Sequence, residues 1–298
     1  MESLIKKKKG YNVVIYTEFY GDLVKVCKNE NLDVWISPRN CKMFSKLIFK
    51  CNFKFALVNT AVMYKWIQKF EMHNIPTIWW LHEADSYIAP IAQDMPSKLS
   101  SNIMVLTVSD RTVATLKKYK NQIFAIKAYN QFSENRRKKS KMLFVGEPLN
   151  KDDSYYVEFI NEVKKYPNIK YIPRVERKNI PMLYRQIDAL ICCSIDDPLP
   201  VVVTECLMFK KNVIVSSGTG QYYMIKDGYN GYSYLESDID SLCEKMELSW
   251  KNKNNKTLNK NARKLYIDNF TKKVFEKNIM LYTRELLNEQ KNSDRKGM

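Results

Sequence analysis

The stretch IDDPLPVVVTECLMFKKNVIVSSGTG (195–220) contains three carboxylates, Asp196, Asp197 and Glu205, among residues that are mostly apolar or turn-forming. Asp197 lies in a proline-punctuated turn, and Glu205 stands alone before a second apolar run. Three segments here have the composition of a strand, a helix and a strand: DALICCS (188–194), VVVTECLMF (201–209) and NVIVSS (212–217). This order predicts one unit of a parallel α/β sheet, with Asp197 and Glu205 at its edge.

The same alternation continues on both sides of this unit. Further strands are predicted at residues 12–16, 34–37, 54–60, 76–83, 103–109, 142–147 and 169–175. Helices are predicted at 21–32, 61–73, 110–119, 153–166 and 181–187, with one or two long ones between 257 and 290. The strand segments are continuously apolar, which is typical of strands covered on both faces. We therefore expect two similar α/β units.

A polar segment separates the two units. Residues 130–141, NQFSENRRKKSK, are charged and show no periodicity, which favours a linker. We therefore expect an N-terminal domain over residues 1–139 and a C-terminal domain over residues 140–298, closed by the terminal helices.

The composition limits the class of protein. With 298 residues, 45% of them hydrophobic, the chain can bury globular cores. A net charge of +17 favours phosphate-bearing ligands or an anionic membrane surface. The lysines are scattered and not interleaved with aromatics, which disfavours nucleic acid as a partner. Seven cysteines without a C-x-x-C pair indicate a reduced, cytoplasmic protein without a metal site. No stretch approaches the roughly 20 apolar residues of a membrane span, so membrane contact would be peripheral, at the inner face.

Several quoted segments together resemble a known family. The spacing of Asp197 and Glu205 resembles the acid-x7-Glu signature of retaining glycosyltransferases of the GT-B fold, family GT4, also called glycosyl transferases group 1. Four further segments resemble that family in the same order: FALVNTAVMYKWIQKFEMHNIPTIWWLHE (55–83), FVGEPLNK (144–151), MLYRQIDALICCS (182–194) and NVIVSSGTGQYYMIKDGYNGYSY (212–234). The resemblance implies two Rossmann-like, doubly wound parallel-sheet domains.

The resemblance also implies roles for the donor-side residues. Glu205 would hold the ribose hydroxyls of a nucleotide-sugar, and Asp197 would hold hydroxyls of the transferred sugar. The backbone amides of Leu199 and Val201, together with Lys151, would face the diphosphate. Each residue also has a plain structural interpretation: a helix-start charge for Glu205, a turn acid for Asp197, one lysine among many for Lys151.

On the acceptor side, His82 would contact the transferred sugar or orient the acceptor, although a histidine at a strand end is often only a satisfied polar group. The implied acceptor is a glycan or a lipid-linked glycan of a cell-surface polysaccharide or glycoconjugate. The implied reaction retains the anomeric configuration and uses no metal or other cofactor.

Three features depart from the family pattern. Glu147 follows Gly146 where an arginine usually faces the diphosphate, and Arg174, Arg177 or Lys178 would have to compensate. Pro198 and Pro200 stand in the signature loop, where each removes an amide donor. Compared with the family pattern, the resemblance implies an N-terminal domain without its first strand and glycine-rich loop. Two alternatives therefore stay open: a non-catalytic scaffold or partner subunit of a glycosyltransferase complex and, on charge alone, a nucleic-acid-binding protein.

Overall fold

The strands that the structure describes pair in parallel. The computed structural model describes residues 12–18, 20–37, 46, 48–51, 53–83, 89–96, 98–107, 120–146, 152 and 154–296. The strands within these residues are β1 Val14–Thr17, β2 Asp33–Ile36, β3 Ala56–Asn59, β4 Thr77–Leu81, β5 Ile103–Thr107, β6 Met142–Val145, β7 Ile169–Ile172, β8 Ala189–Cys192, β9 Asn212–Ser216 and β10 Tyr232–Tyr234. They pair in the orders β1-β2, β3-β4-β5, β6-β7 and β10-β9-β8. Every pairing is parallel, as expected for an α/β protein.

Helices connect most of these strands. Their bounds in the described residues are α1 Asp22–Asn29, α2 Tyr64–Met72, α3 Gln122–Asn130, α4 Glu134–Lys138, α5 Ser154–Lys164, α6 Ile180–Gln186, α7 Val201–Met208, α8 Ile239–Lys251, α9 Lys256–Asn269 and α10 Lys272–Lys296. The helix expected at 110–119 and the residue Lys151 lie outside the described residues. No helix that the structure describes is both long enough and apolar enough to span a bilayer.

The second half of the chain is organised around β9, whose five residues are all buried. Ile214 belongs to a hydrophobic cluster that includes residues of α3, α5 and α8. Its neighbours Val213 and Val215 belong to another cluster, which includes residues of α6, α7 and α9. Successive side chains of a strand point to opposite faces, so this alternation places helices on both sides of the sheet. The sheet is therefore doubly wound, as its continuous apolar sequence indicates.

The polar segment 130–141 is more ordered than its composition suggests. It contains α4, and Phe132 is buried in the cluster of the second half. The hydroxyl of Tyr129 donates to the backbone carbonyl of Ser140 at 3.0 Å. Arg136 lies over the ring of Trp250, 3.6 Å from its centroid. The basic residues form a helix that contacts a residue far away in sequence, Trp250. The segment is therefore not the irregular linker that its composition predicts.

The two halves also meet through the end of the chain. A separate cluster of the N-terminal half includes residues of β3, α2, β4 and β5. Helix α10 follows α9, and its Phe275 packs on Trp80 of β4 with ring centroids 5.1 Å apart. The C-terminal helix therefore returns to the sheet of the first half.

The ends of β8 and β9 are joined by backbone contacts. The amide of Asp197 donates to the carbonyl of Gly218 at 2.9 Å, and the amide of Gly220 donates to the carbonyl of Asp197 at 2.9 Å. A Cβ atom at Gly218 would stand 2.2 Å from the carbonyl oxygen of Ser194 and 2.4 Å from that of Ile195. These neighbours are backbone atoms and cannot swing away, so only glycine fits here.

We expect Gly218→Ala to lower the free energy of unfolding by about 2–3 kcal/mol, because the added methyl group must push two strand ends apart. Urea denaturation measures this difference. Gly21→Ala is the control, because a Cβ there meets nothing within 4 Å. We expect it to cost less than about 1 kcal/mol. Equal stability of the two variants would contradict the close approach.

Candidate functional site

The loop after β8 and the start of α7 form the first part of the candidate site. Helix α7 begins at Val201, and Pro200 is its N-cap residue rather than part of its first turn. The first amides of a helix lack intrahelical partners and carry the positive end of its dipole. Val201 is 65% exposed, so this helix start is open to solvent. The arrangement suits an anion.

Glu205 projects from α7 toward a buried tyrosine. The hydroxyl of Tyr184, on α6, donates to Oε2 of Glu205 at 2.8 Å. The Tyr184 ring stacks on Phe209 with centroids 5.4 Å apart. The tyrosine is therefore held both by this stack and by its hydrogen bond to Glu205. Burial first, and then the hydrogen bond to Glu205, raise the pKa of the Tyr184 phenol above its usual value. The phenol therefore stays protonated and keeps the carboxylate in place.

Asp197 is held both through its backbone and through its side chain. The backbone bonds to Gly218 and Gly220 fix the residue between the ends of β8 and β9. Its Oδ2 forms an ion pair with the ammonium group of Lys120, just before α3. The Asp197 side chain is 16% exposed, whereas that of Lys120 is 61% exposed. The carboxylate is thus sheltered, and its cationic partner is solvated.

The buried side chain of Gln221 contacts the start of α7. It is fully buried, and its Nε2 donates to the carbonyl of Pro200 at 3.1 Å and to the hydroxyl of Thr204 at 3.3 Å. A buried amide bonded to both ends of the first turn fixes the position of that turn. Gln221 therefore joins the turn after β9 to the beginning of α7.

His82 follows β4 in the other half of the chain. Its Nε2 lies 3.9 Å from Oε1 of Glu83, and its amide donates to Oε2 of the same residue at 3.1 Å. Burial alone would raise the pKa of Glu83, but hydrogen bonds from Thr60 and from the amides of His82 and Ala61 lower it. Thr60 has a φ of 129°, an uncommon conformation for threonine. His82 thus stands beside a charged carboxylate at the carboxyl edge of its sheet.

The structure brings together part of the expected site. Asp197, Leu199, Val201 and Glu205 share one loop and helix at the carboxyl end of β8. His82 belongs to the sheet of the other half, and its expected contact with the sugar or acceptor stays a prediction. Lys178, one of the expected compensating cations, pairs with Glu176 at 2.7 Å.

Three supporting residues were not predicted: Lys120, Tyr184 and Gln221. Tyr184 lies in the quoted segment MLYRQI, but only the packing of α6 against α7 reveals its partner. Lys120 is 77 residues away from Asp197 in sequence, so no local pattern indicates that pair. In the part of the chain that the structure describes, no three or more His, Cys, Asp or Glu side chains form a potential metal-ion site. The expectation of a metal-independent reaction stays a prediction.

A known protein family matches about half of the chain. Residues 111–265 match the family model described as glycosyl transferases group 1. The matched region is just over half of the chain and includes Lys120, Asp197 and Glu205, but not His82.

Individual proteins are similar to parts or all of the chain. A GalNAc-α-(1→4)-GalNAc-α-(1→3)-diNAcBac-PP-undecaprenol α-1,4-N-acetyl-D-galactosaminyltransferase of Campylobacter jejuni is 30% identical over 147 residues, which are 48% of this chain and 39% of that protein. HepE of Anabaena, solved with UDP-glucose, matches 98% of this chain and 94% of its own at 12% identity, with a TM-score of 0.67. Sucrose-phosphate synthase of Thermosynechococcus elongatus matches 95% of this chain and 75% of its own at 12% identity, with a TM-score of 0.54. These structural likenesses confirm the predicted GT-B fold.

We expect Tyr184→Phe to keep the stacking on Phe209 but to lower the free energy of unfolding by about 1–2 kcal/mol near pH 8, because Glu205 loses its hydrogen-bond donor. The folded-state pKa of Tyr184 is raised above the ordinary value of about 10, so its stabilising contribution is complete below that pH and is lost as the pH rises further. The difference between the two proteins should therefore shrink above pH 10.

Urea denaturation at pH 8 and at pH 10.5 measures both effects. Tyr223→Phe is the control, because Tyr223 is 69% exposed and should change stability by less than about 0.5 kcal/mol. A gap between the unaltered chain and Tyr184→Phe that persists unchanged at alkaline pH would contradict the assigned hydrogen bond.

Proposed function

Because this chain belongs to the family of glycosyl transferases group 1, we propose that it transfers a sugar from a nucleotide-sugar to a glycan or lipid-linked acceptor with retention of configuration. The observation that carries the proposal is the pair Asp197 and Glu205 on one loop and helix at the carboxyl end of β8. Ligands of open parallel sheets bind at this edge. The pair also lies inside the region that matches the family.

We assign the donor to the C-terminal half. Glu205, oriented by Tyr184, would accept hydrogen bonds from the two ribose hydroxyls, and Asp197 would accept them from the transferred sugar. The open start of α7, with Leu199 and Val201, would receive the diphosphate. Structures of HepE with UDP and with UDP-glucose support a uridine nucleotide as the first candidate. We propose that Lys151 adds positive charge near the phosphates.

The proposed reaction exchanges one bond at the sugar C1. The bond from C1 to the β-phosphate oxygen breaks, and a bond from C1 to the acceptor hydroxyl oxygen forms on the same face. The hydroxyl proton passes to the leaving diphosphate. Negative charge develops on the leaving phosphate oxygen during this step. The amides at the start of α7 would stabilise that charge and so lower the barrier. We propose that His82 faces the sugar or the acceptor from the other half and that no metal takes part.

A lipid-linked acceptor at the cytoplasmic face of a membrane is the acceptor that we favour. The Campylobacter jejuni relative is named for an undecaprenol-diphosphate glycan. The net charge of +17 suits an anionic membrane surface and a diphosphate-bearing lipid. We place the chain in the biosynthesis of a cell-surface polysaccharide or glycoconjugate on these grounds.

The first test is a thermal-shift screen against UDP-, GDP- and dTDP-sugars, because a ligand that binds only the folded state raises the melting temperature. With ligand at 100 times its Kd we expect a rise of roughly 5 °C for one nucleotide. Glu205→Gln keeps the size of the side chain but removes its charge, and the rise should disappear.

Glu158→Gln is the matched control, since Glu158 is exposed and lies on α5, which is not part of the candidate site. It should retain the full shift. The nucleotide-sugar that binds is then incubated with a lipid-linked glycan, and the anomeric configuration of the product is read by NMR. Binding without transfer by the purified chain would favour a scaffold or partner subunit. A full shift in Glu205→Gln would rule out the assigned ribose contact.

A further inference from the structure

Lys120 reaches the candidate donor site from a distant part of the sequence. Its ammonium group pairs with Asp197, the carboxylate assigned above to the transferred sugar. The sheltered carboxylate needs a partner, because an unpaired charge away from water is costly. The lysine is solvated over most of its side chain and keeps a favourable environment without the pair. One member of the pair is therefore fixed, and the other is able to leave.

The backbone directly after Lys120 is anchored. Asn121, directly after it, is in the left-handed region with φ 49° and is the N-cap residue of α3. The hydroxyl of Tyr155 accepts from the amide of Ile123 at 3.1 Å and donates to the side chain of Gln122 at 3.0 Å. Most of α3 is buried in the cluster of the second half. The flexible four-carbon stem is long enough to move the ammonium group while α3 stays in place.

The loop beside Lys120 is poor in donors for an anion. Pro198 and Pro200 have no amide hydrogen, so two positions of the loop before α7 cannot donate a hydrogen bond to phosphate. The helix start supplies only partial charges. A diphosphate at this place needs a full positive charge, and the Lys120 ammonium group already lies against the same loop.

We propose that Lys120 exchanges partners when the donor binds. In the empty site it pairs with Asp197, and in the loaded site it binds the diphosphate and leaves the carboxylate to accept the sugar hydroxyls. No covalent bond changes in this exchange. The inference rests on the proposed function and extends it: the diphosphate makes the sugar pocket available. A nucleotide with a single phosphate would leave the pair largely intact.

Isothermal titration calorimetry of the full chain tests the exchange. UDP, GDP and dTDP are titrated first, and the tightest binder is compared with its monophosphate. We expect Lys120→Gln to weaken the diphosphate by about 10-fold or more, because a charge-assisted contact is lost, and to weaken the monophosphate much less. Lys127→Gln removes the same charge from an exposed position of α3 and should change either affinity less than about twofold.

A second variant tests the empty-site pair directly. In Asp197→Asn no carboxylate competes for Lys120, so the nucleoside diphosphate should bind more tightly than it binds the unaltered chain. The Asp197→Asn substitution should increase affinity more in the unaltered chain than in the Lys120→Gln variant. The double variant Lys120→Gln, Asp197→Asn supplies the second comparison. A merely structural pair predicts the opposite, because its loss would loosen the loop and weaken binding.

The outcomes separate this inference from the proposed function. If the unaltered chain binds no nucleotide, both fail. If it binds a diphosphate and Lys120→Gln binds it equally well, the exchange alone is overturned. Equal losses for the diphosphate and the monophosphate overturn it too, as does weaker diphosphate binding by Asp197→Asn. A selective diphosphate loss in Lys120→Gln with a gain in Asp197→Asn supports it.

Discussion

The close approach of Gly218 to the carbonyls of Ser194 and Ile195 is the contact on which the donor side depends. It lets the turn after β9 lie directly against the loop after β8, where two backbone hydrogen bonds hold Asp197. The same turn then brings Gln221 under the start of α7. The positions of the loop and of the helix are therefore set by backbone and buried amide contacts. A ligand meets a site that is largely formed before it arrives.

Much of the fold could be predicted from the sequence because its strands are short, apolar and bounded by turns. Each strand expected from the pattern has a counterpart in the structure. Other elements were not predicted, among them α8, and three of them have physical reasons. Helix α3 is buried on most sides and shows no apolar stripe. Strand β10 has only three residues, with a serine in the middle, and depends on pairing with β9. The segment 130–141 looks like a linker because its charged residues find their partners only in the folded chain.

The candidate site could be predicted only where it is local. Asp197 and Glu205 lie on one loop and helix, so their spacing places them at the same sheet edge. Their partners Lys120 and Tyr184 lie 77 and 21 residues away in sequence, so local spacing does not predict them. On the other side, the motif WWLHE pointed to His82, but the carboxylate beside it is fixed by Thr60, which follows a different strand. Local sequence gives candidate groups, and tertiary packing decides which charges they face.

The two carboxylates of the donor side differ in the kind of partner that each has. Glu205 accepts a hydrogen bond from a neutral, buried phenol that stays protonated, so its orientation does not depend on a mobile cation. Asp197 faces an exposed cation on a flexible stem, and this cation is already solvated, so it keeps a favourable environment when it leaves the pair. In the proposed donor site, a ligand that offers only ribose hydroxyls would therefore meet a ready carboxylate, whereas sugar hydroxyls would compete with an ammonium group. On this proposal the ribose contact is built into the fold, and the sugar contact depends on the phosphates that lie between the ribose and the sugar.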